Sequence, residues 1–155
     1  MDIRITLNGK SVTAAVPANQ TLSDFLRSNG HWSVKHGCDG GECGNCTVIL
    51  DGRAVYSCLT LAARADGKSV ETFEGIRERS EFAPIKEILM DFGDMDCGYC
   101  IPGMMMAMKA LVDRIPEPSE EEIRDQLAGV ICHCVRSVKP IESLMAAVRK
   151  MRGKW

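Results

Sequence analysis

Eight cysteines among 155 residues constrain this chain more than any other feature of its sequence. The opening Met-Asp-Ile-Arg-Ile-Thr-Leu carries no apolar h-region and no small-residue cleavage site, so no secretory signal is visible. In a reducing cytoplasm the thiols would stay reduced, which argues against a disulfide framework and for metal ligation. Sorted by spacing, none is left over. Cys38, Cys43, Cys46 and Cys58 form C-x4-C-x2-C-x11-C, and Cys97, Cys100, Cys132 and Cys134 form C-x2-C-x31-C-x-C. The 38 residues between the two groups hold no cysteine, which assigns each group to its own structural unit.

Composition removes several alternatives. The net charge of −2 gives no sign of a nucleic-acid surface. The longest apolar stretch, Ile101 to Val112, is interrupted by Lys109 and is too short to span a bilayer. The expectation is a soluble, cytoplasmic chain. Aromatics make up only 5%, so its core must lean on Leu, Ile, Val, Ala and nine Met.

Local patterns divide the chain in two. Ile3 to Leu7 alternates, Asn8-Gly9 is a turn, and Ser11 to Val16 resumes the extended pattern, which predicts a hairpin. Thr21 caps a short helix with Asp24 at the capping-box position, and the helix ends near Asn29-Gly30. Thr47 to Leu50, the Asp51-Gly52 turn and Ala54 to Tyr56 predict a second hairpin, and Ser69 to Phe73 a final strand. The charged run Arg77 to Glu81 reads as a linker. Beyond it, helical spacing marks Pro84 to Phe92 and Pro102 to Arg114. Ser119-Glu120-Glu121-Glu122 starts a third helix with a capping box, and Pro140 opens the last, where Ile141, Leu144, Met145 and Val148 share a face. A β-rich half with one helix is thus followed by a small helical bundle: an α+β chain.

A [2Fe–2S] cluster needs four thiolates and is net anionic, so it calls for a loop that offers backbone N–H groups and little side-chain bulk. Gly37 to Cys46 supplies four glycines in ten residues, among them Gly37, Gly41 and Gly44, which can aim amides at sulfur. C-x4-C-x2-C with a distant fourth cysteine is the plant-type ferredoxin spacing, whereas structural zinc usually shows paired C-x2-C knuckles. The second group is less specific. Cys97 and Cys100 stand just before a helix N-terminus, which favours thiolates, and Cys132-His133-Cys134 lies between two predicted helices. On spacing alone, zinc stays open there.

At the level of whole motifs the chain resembles the iron–sulfur subunit or domain of the xanthine oxidase family of molybdenum hydroxylases. The likeness rests on Val34 to Cys38, Gly41 to Val48, Ser57-Cys58-Leu59, Thr72 to Ile76 and Cys97 to Met104. It implies a β-grasp, plant-ferredoxin-like domain over residues 1–76 and a four-helix-bundle domain over 77–155, each holding one [2Fe–2S] cluster on its four cysteines. It further implies an electron-transfer subunit without a substrate site. Electrons would pass singly from a molybdenum–pterin centre in a large subunit towards FAD in another, with the helical-domain cluster nearer the pterin.

Departures from the family pattern cluster around the second group. Asp96 stands where glutamine is usual, and Gly129 to Ser137 keeps only the glycine and the two cysteines of the family pattern. Asp96 and Cys134 occupy positions that in the family contact the pterin. Met104, Met105, Met106 and Met108 read as helical packing rather than a soft-metal site. His133 reads as a neighbour of ligands, His31 and His36 as surface or packing residues, and Lys35 and Arg136 as solvated cations or counter-charges to the clusters. Trp32 is expected to shield the first cluster or fill the interface between the halves.

Overall fold

Two tight turns organise the first half. The computed structural model describes residues 1–90, 97–132 and 141–153. Asn8 and Gly9 have φ of 49° and 81°, and Asp51 and Gly52 have 47° and 78°. Left-handed conformation at both central residues gives the turn whose twist matches its flanking strands. One hairpin joins β1 (Asp2–Leu7) to β2 (Lys10–Ala15), and the other joins β3 (Thr47–Leu50) to β4 (Arg53–Tyr56). β5 (Ser69–Glu71) lies between them, parallel to β1 and antiparallel to β3, so the order is β2-β1-β5-β3-β4. Ile3, Ile5 and Leu7 alternate inward along β1 and meet Leu22, Phe25 and Leu26 of α1 (Leu22–Ser28). Thr21 caps α1: its hydroxyl oxygen accepts from the Asp24 N–H at 3.0 Å and its proton goes to the Asp24 carboxylate.

The final strand is shorter than its sequence suggests. β5 stops at Glu71, and Phe73–Ile76 forms a helical turn, α2, with Thr72 as its cap. The Asn8 side chain is the reason: its oxygen accepts from the Thr72 N–H at 2.9 Å and its amide donates to the Thr72 hydroxyl at 3.0 Å, which replaces the next ladder bond. The charged run that follows folds into turns ending in a 3-10 turn, Ser80–Phe82, whose Phe82 is buried.

Four further helices build the second half: α3 (Ala83–Met90), α4 (Ile101–Arg114), α5 (Glu120–Ala128) and α6 (Ile141–Met151). The Phe92 end of the helix expected from Pro84 and the Pro140 start of the last lie outside the described residues. α4 is central and buried almost all round, with Met104, Met105, Met106 and Met108 in the core. These methionines therefore pack. The capping box of α5 is complete: the Ser119 hydroxyl accepts from the Glu122 N–H, and the Glu122 carboxylate accepts from the Ser119 N–H at 2.7 Å.

Two hydrophobic clusters result, and β3 belongs to both. Val48 faces the sheet-and-α1 core, while its neighbour Ile49 joins the helical core beside α4. A strand covered on both faces loses the polar alternation of an exposed sheet, which is why Thr47-Val48-Ile49-Leu50 reads as a nearly continuous apolar run. Lys109 of α4 crosses the same boundary. Only 5% exposed, it reaches Glu71 of β5 at 3.4 Å and Asp113 at 2.5 Å, with its ammonium over the Phe82 ring.

Candidate metal centres

The first cysteine loop is hung between α1 and β3 by backbone bonds. Lys35 N–H donates to the Asn45 carbonyl at 3.2 Å, the Thr47 hydroxyl to the Gly44 carbonyl at 2.6 Å, and the Ser57 hydroxyl to the Cys46 carbonyl at 2.7 Å. Glu74 pins the approach to the loop. Its carboxylate accepts from the Ser33 N–H at 2.7 Å and from the hydroxyls of Ser33 and Thr72, with His31 alongside at 3.7 Å. Burial pushes the Glu74 carboxyl up, but the Ser33 and Thr72 hydrogen bonds outweigh it and hold the group below the ordinary glutamate range.

Within the loop the four thiols sort as two pairs. Cys46 Sγ lies 3.3 Å from Cys58 Sγ, and the Cys43 N–H donates to Cys38 Sγ at 3.4 Å. All four interact electrostatically. Hydrogen bonds from the Cys43 backbone and side chain bring the Cys38 thiol down to about 7. Burial, with the neighbouring Cys46, pushes Cys58 up to about 12. Among the described residues no three His, Cys, Asp or Glu side chains converge as on a single ion. The Cys46–Cys58 contact and the Cys43 bonds to Cys38 fit a two-iron cluster, in which each iron would take two thiolates. Gly37 packs at Cys43, and Gly41 (φ 76°) and Gly44 (φ 66°) turn the loop.

Of the second group, Cys97, Cys100 and Cys132 are described, while Cys134 lies outside the described residues with Asp96, His133 and Arg136. Cys100 is the N-cap residue of α4 and is buried; Cys97 is exposed; Cys132 is half-buried after the end of α5. At the start of α4, Cys100 stands where the helix dipole and free amides favour a thiolate.

The two loops are bonded to each other. The Ile131 N–H donates to the Cys43 carbonyl at 2.8 Å, and the Asn45 side-chain amide donates to the Ile131 carbonyl at 3.2 Å. The Tyr56 hydroxyl donates to the Gly129 carbonyl at 2.8 Å. Burial first, then the nearby cysteines, pushes the Tyr56 phenol up. On the other side Tyr99 donates to the His36 carbonyl at 2.8 Å, and Lys35 sits over its ring at 5.6 Å. Contact between the loops is close enough that a methyl on Gly44 would stand 1.8 Å from the Gly129 oxygen.

Asn45, Tyr56 and Glu74 are the residues that sequence reasoning passed over. A lone amide inside a glycine run and a tyrosine two residues before Cys58 were the signals. Trp32 neither shields nor fills: it is 61% exposed, with Arg27 stacked on it at 5.2 Å. His36 is exposed and bonded to Asp39 at 2.9 Å.

Known proteins share both halves. Residues 5–72 match the 2Fe-2S iron-sulfur cluster binding domain, and residues 72–145 match the [2Fe-2S] binding domain. The nicotinate dehydrogenase small FeS subunit of Eubacterium barkeri is 40% identical over 148 residues, covering 95% of this chain and 92% of its own. A chain of quinoline 2-oxidoreductase from Pseudomonas putida 86 has the same fold, with a TM-score of 0.84 at 32% identity over 99% of this chain and 96% of that one. Aldehyde oxidoreductase from Desulfovibrio gigas gives a TM-score of 0.86 at 34% identity over 99% of this chain, which there corresponds to 17% of a longer polypeptide. With two [2Fe–2S]-binding halves in this order and relatives of matching length, the chain belongs to the iron–sulfur subunits and domains of the molybdenum hydroxylases.

Proposed function

We propose that the chain passes electrons one at a time from a molybdenum–pterin centre in a large subunit, through its two clusters, to a flavin subunit or another acceptor. Cys38, Cys43, Cys46 and Cys58 would hold the first cluster, and Cys97, Cys100, Cys132 and Cys134 the second. Gly37, Gly41 and Gly44 would bring loop backbone against the first. In this reading residues 1–76 form a β-grasp domain and 77–155 a four-helix bundle, a division supported by the two hydrophobic clusters. Asp96 and Cys134 are proposed as pterin contacts on family resemblance.

One observation carries the reading. The Ile131 N–H to Cys43 carbonyl bond joins a proposed ligand of one cluster to the residue preceding a proposed ligand of the other. When bound, each cluster takes up and releases a single electron. The chain supplies a continuous path between them, made of peptide bonds and one hydrogen bond. The relatives named above act on nicotinate, quinoline and aldehydes, so one architecture serves several substrates. Substrate selection therefore belongs to a partner. Among the described residues no helix is long and apolar enough to cross a membrane.

Two clusters of two irons predict four irons per chain and two rhombic EPR signals after dithionite reduction. Purification of the native complex should bring down a large pterin-containing subunit. Colourless protein that carries zinc, with no absorption between roughly 400 and 600 nm, would overturn the proposal.

A further inference from the structure

The last carbonyls of a helix have no partner within it and must find one elsewhere. At the end of α5 the Gly129 carbonyl finds the Tyr56 hydroxyl, 2.8 Å away at the end of β4. Three residues later the chain reaches Cys132. Along the intervening segment, contacts from the first half follow in succession: Tyr56 on the Gly129 carbonyl, the Cys43 carbonyl on the Ile131 N–H, and Asn45 on the Ile131 carbonyl. Cys43 and Asn45 belong to the cysteine loop itself. Tyr56 alone of the three belongs to the sheet, on a hairpin held by the full β3–β4 register. Its ring also fits the junction closely, since a methyl on Gly129 would stand 2.8 Å from the Tyr56 oxygen.

We infer that Tyr56 is a positioning residue for the second centre: its hydroxyl fixes the end of α5 against the sheet and so sets where Cys132 stands relative to the first cysteine loop. This rests on the ligand assignment proposed above. The consequence is functional because electron transfer between two centres falls off exponentially with their separation. A hydroxyl on a strand of one half thereby governs the geometry of a centre in the other. Tyr56 also borders a cavity of about 430 Å³ shared with Thr47, Gln126 and Val130. Loss of its hydroxyl leaves the carbonyl facing that space, where water can reach it, so the fold should survive the change.

EPR on the cluster-loaded, dithionite-reduced protein provides the test. Tyr56→Phe is expected to shift the g-values of the second signal and to reduce the splitting that two nearby reduced centres impose on each other. Iron content, far-UV circular dichroism and the g-values of the first signal should stay as in the wild type. Gly129→Ala, which crowds the same oxygen, should move the same features, and the double substitution should behave like Tyr56→Phe alone. Wild-type spectra from both single variants would overturn the inference and leave the proposed function standing. A change in both signals together with lost circular dichroism would overturn it in favour of a general structural role. Unsubstituted protein that shows no second signal would overturn the proposed function and this inference with it.

Discussion

Glu74 shows how much one carboxylate can hold. Three donors from Ser33 and Thr72 converge on it and tie the approach to the cysteine loop to the start of α2. Its pKa is lower in the folded chain than in the unfolded one, so its stabilisation is complete above the ordinary glutamate range. It is lost as pH falls through the folded value. Glu74→Gln is expected to cost about 1–2 kcal/mol near neutral pH, allowing for partial exposure, and progressively less as pH falls below the ordinary glutamate range. Urea denaturation of both proteins at several pH values checks this. Lys109 is a second case, a buried cation shared by Glu71 and Asp113. Lys109→Ala should lose about 2–3 kcal/mol, because it removes packing and leaves Glu71 without this partner. Lys109→Met, which keeps the stem's volume, should lose less, by the same measurement.

Among the elements, α5 depends most on its ends. Its mean hydropathy is low, with Ile123 and Leu127 its buried residues, so caps contribute a large share of its stability. The Ser119–Glu122 box satisfies donors at its start, and Tyr56 satisfies a carbonyl at its close. Ser119→Ala is expected to cost about 1 kcal/mol and Ser119→Gly only a few tenths, read as shifts in thermal midpoint. By contrast α4 is buried over most of its length, so packing secures it, and single methionine truncations should cost about 2–5 kcal/mol each.

At the scale of the whole molecule the two halves meet where the two cysteine loops meet. Gly44 sits at that junction with φ 66°, and a side chain there would strike the Gly129 carbonyl. Gly44→Ala combines left-handed strain with a displacement of the second half, so a loss above roughly 2 kcal/mol is expected. It should also weaken the coupling between the two EPR signals, whereas Gly52→Ala, with nothing near its missing side chain, should leave that coupling intact.

The sequence alone determined the two hairpin turns, the caps at Thr21 and Ser119 and the longer helices, though not α2, because these features depend on neighbours a few positions away. Asn8-Gly9, Asp51-Gly52, Thr21 and the Ser119–Glu122 pair were legible for that reason. It did not determine where β5 ends, since the bond that ends it comes from Asn8, 64 residues away. Nor did it show what Glu74, Asn45 and Tyr56 bond, since their partners lie 41, 86 and 73 residues distant. Only the tertiary structure decided that the two cysteine loops share hydrogen bonds. Local pattern records what a segment prefers; a polar side chain that serves a distant backbone group leaves no period in the sequence, and its role exists once the fold has closed the loop between them.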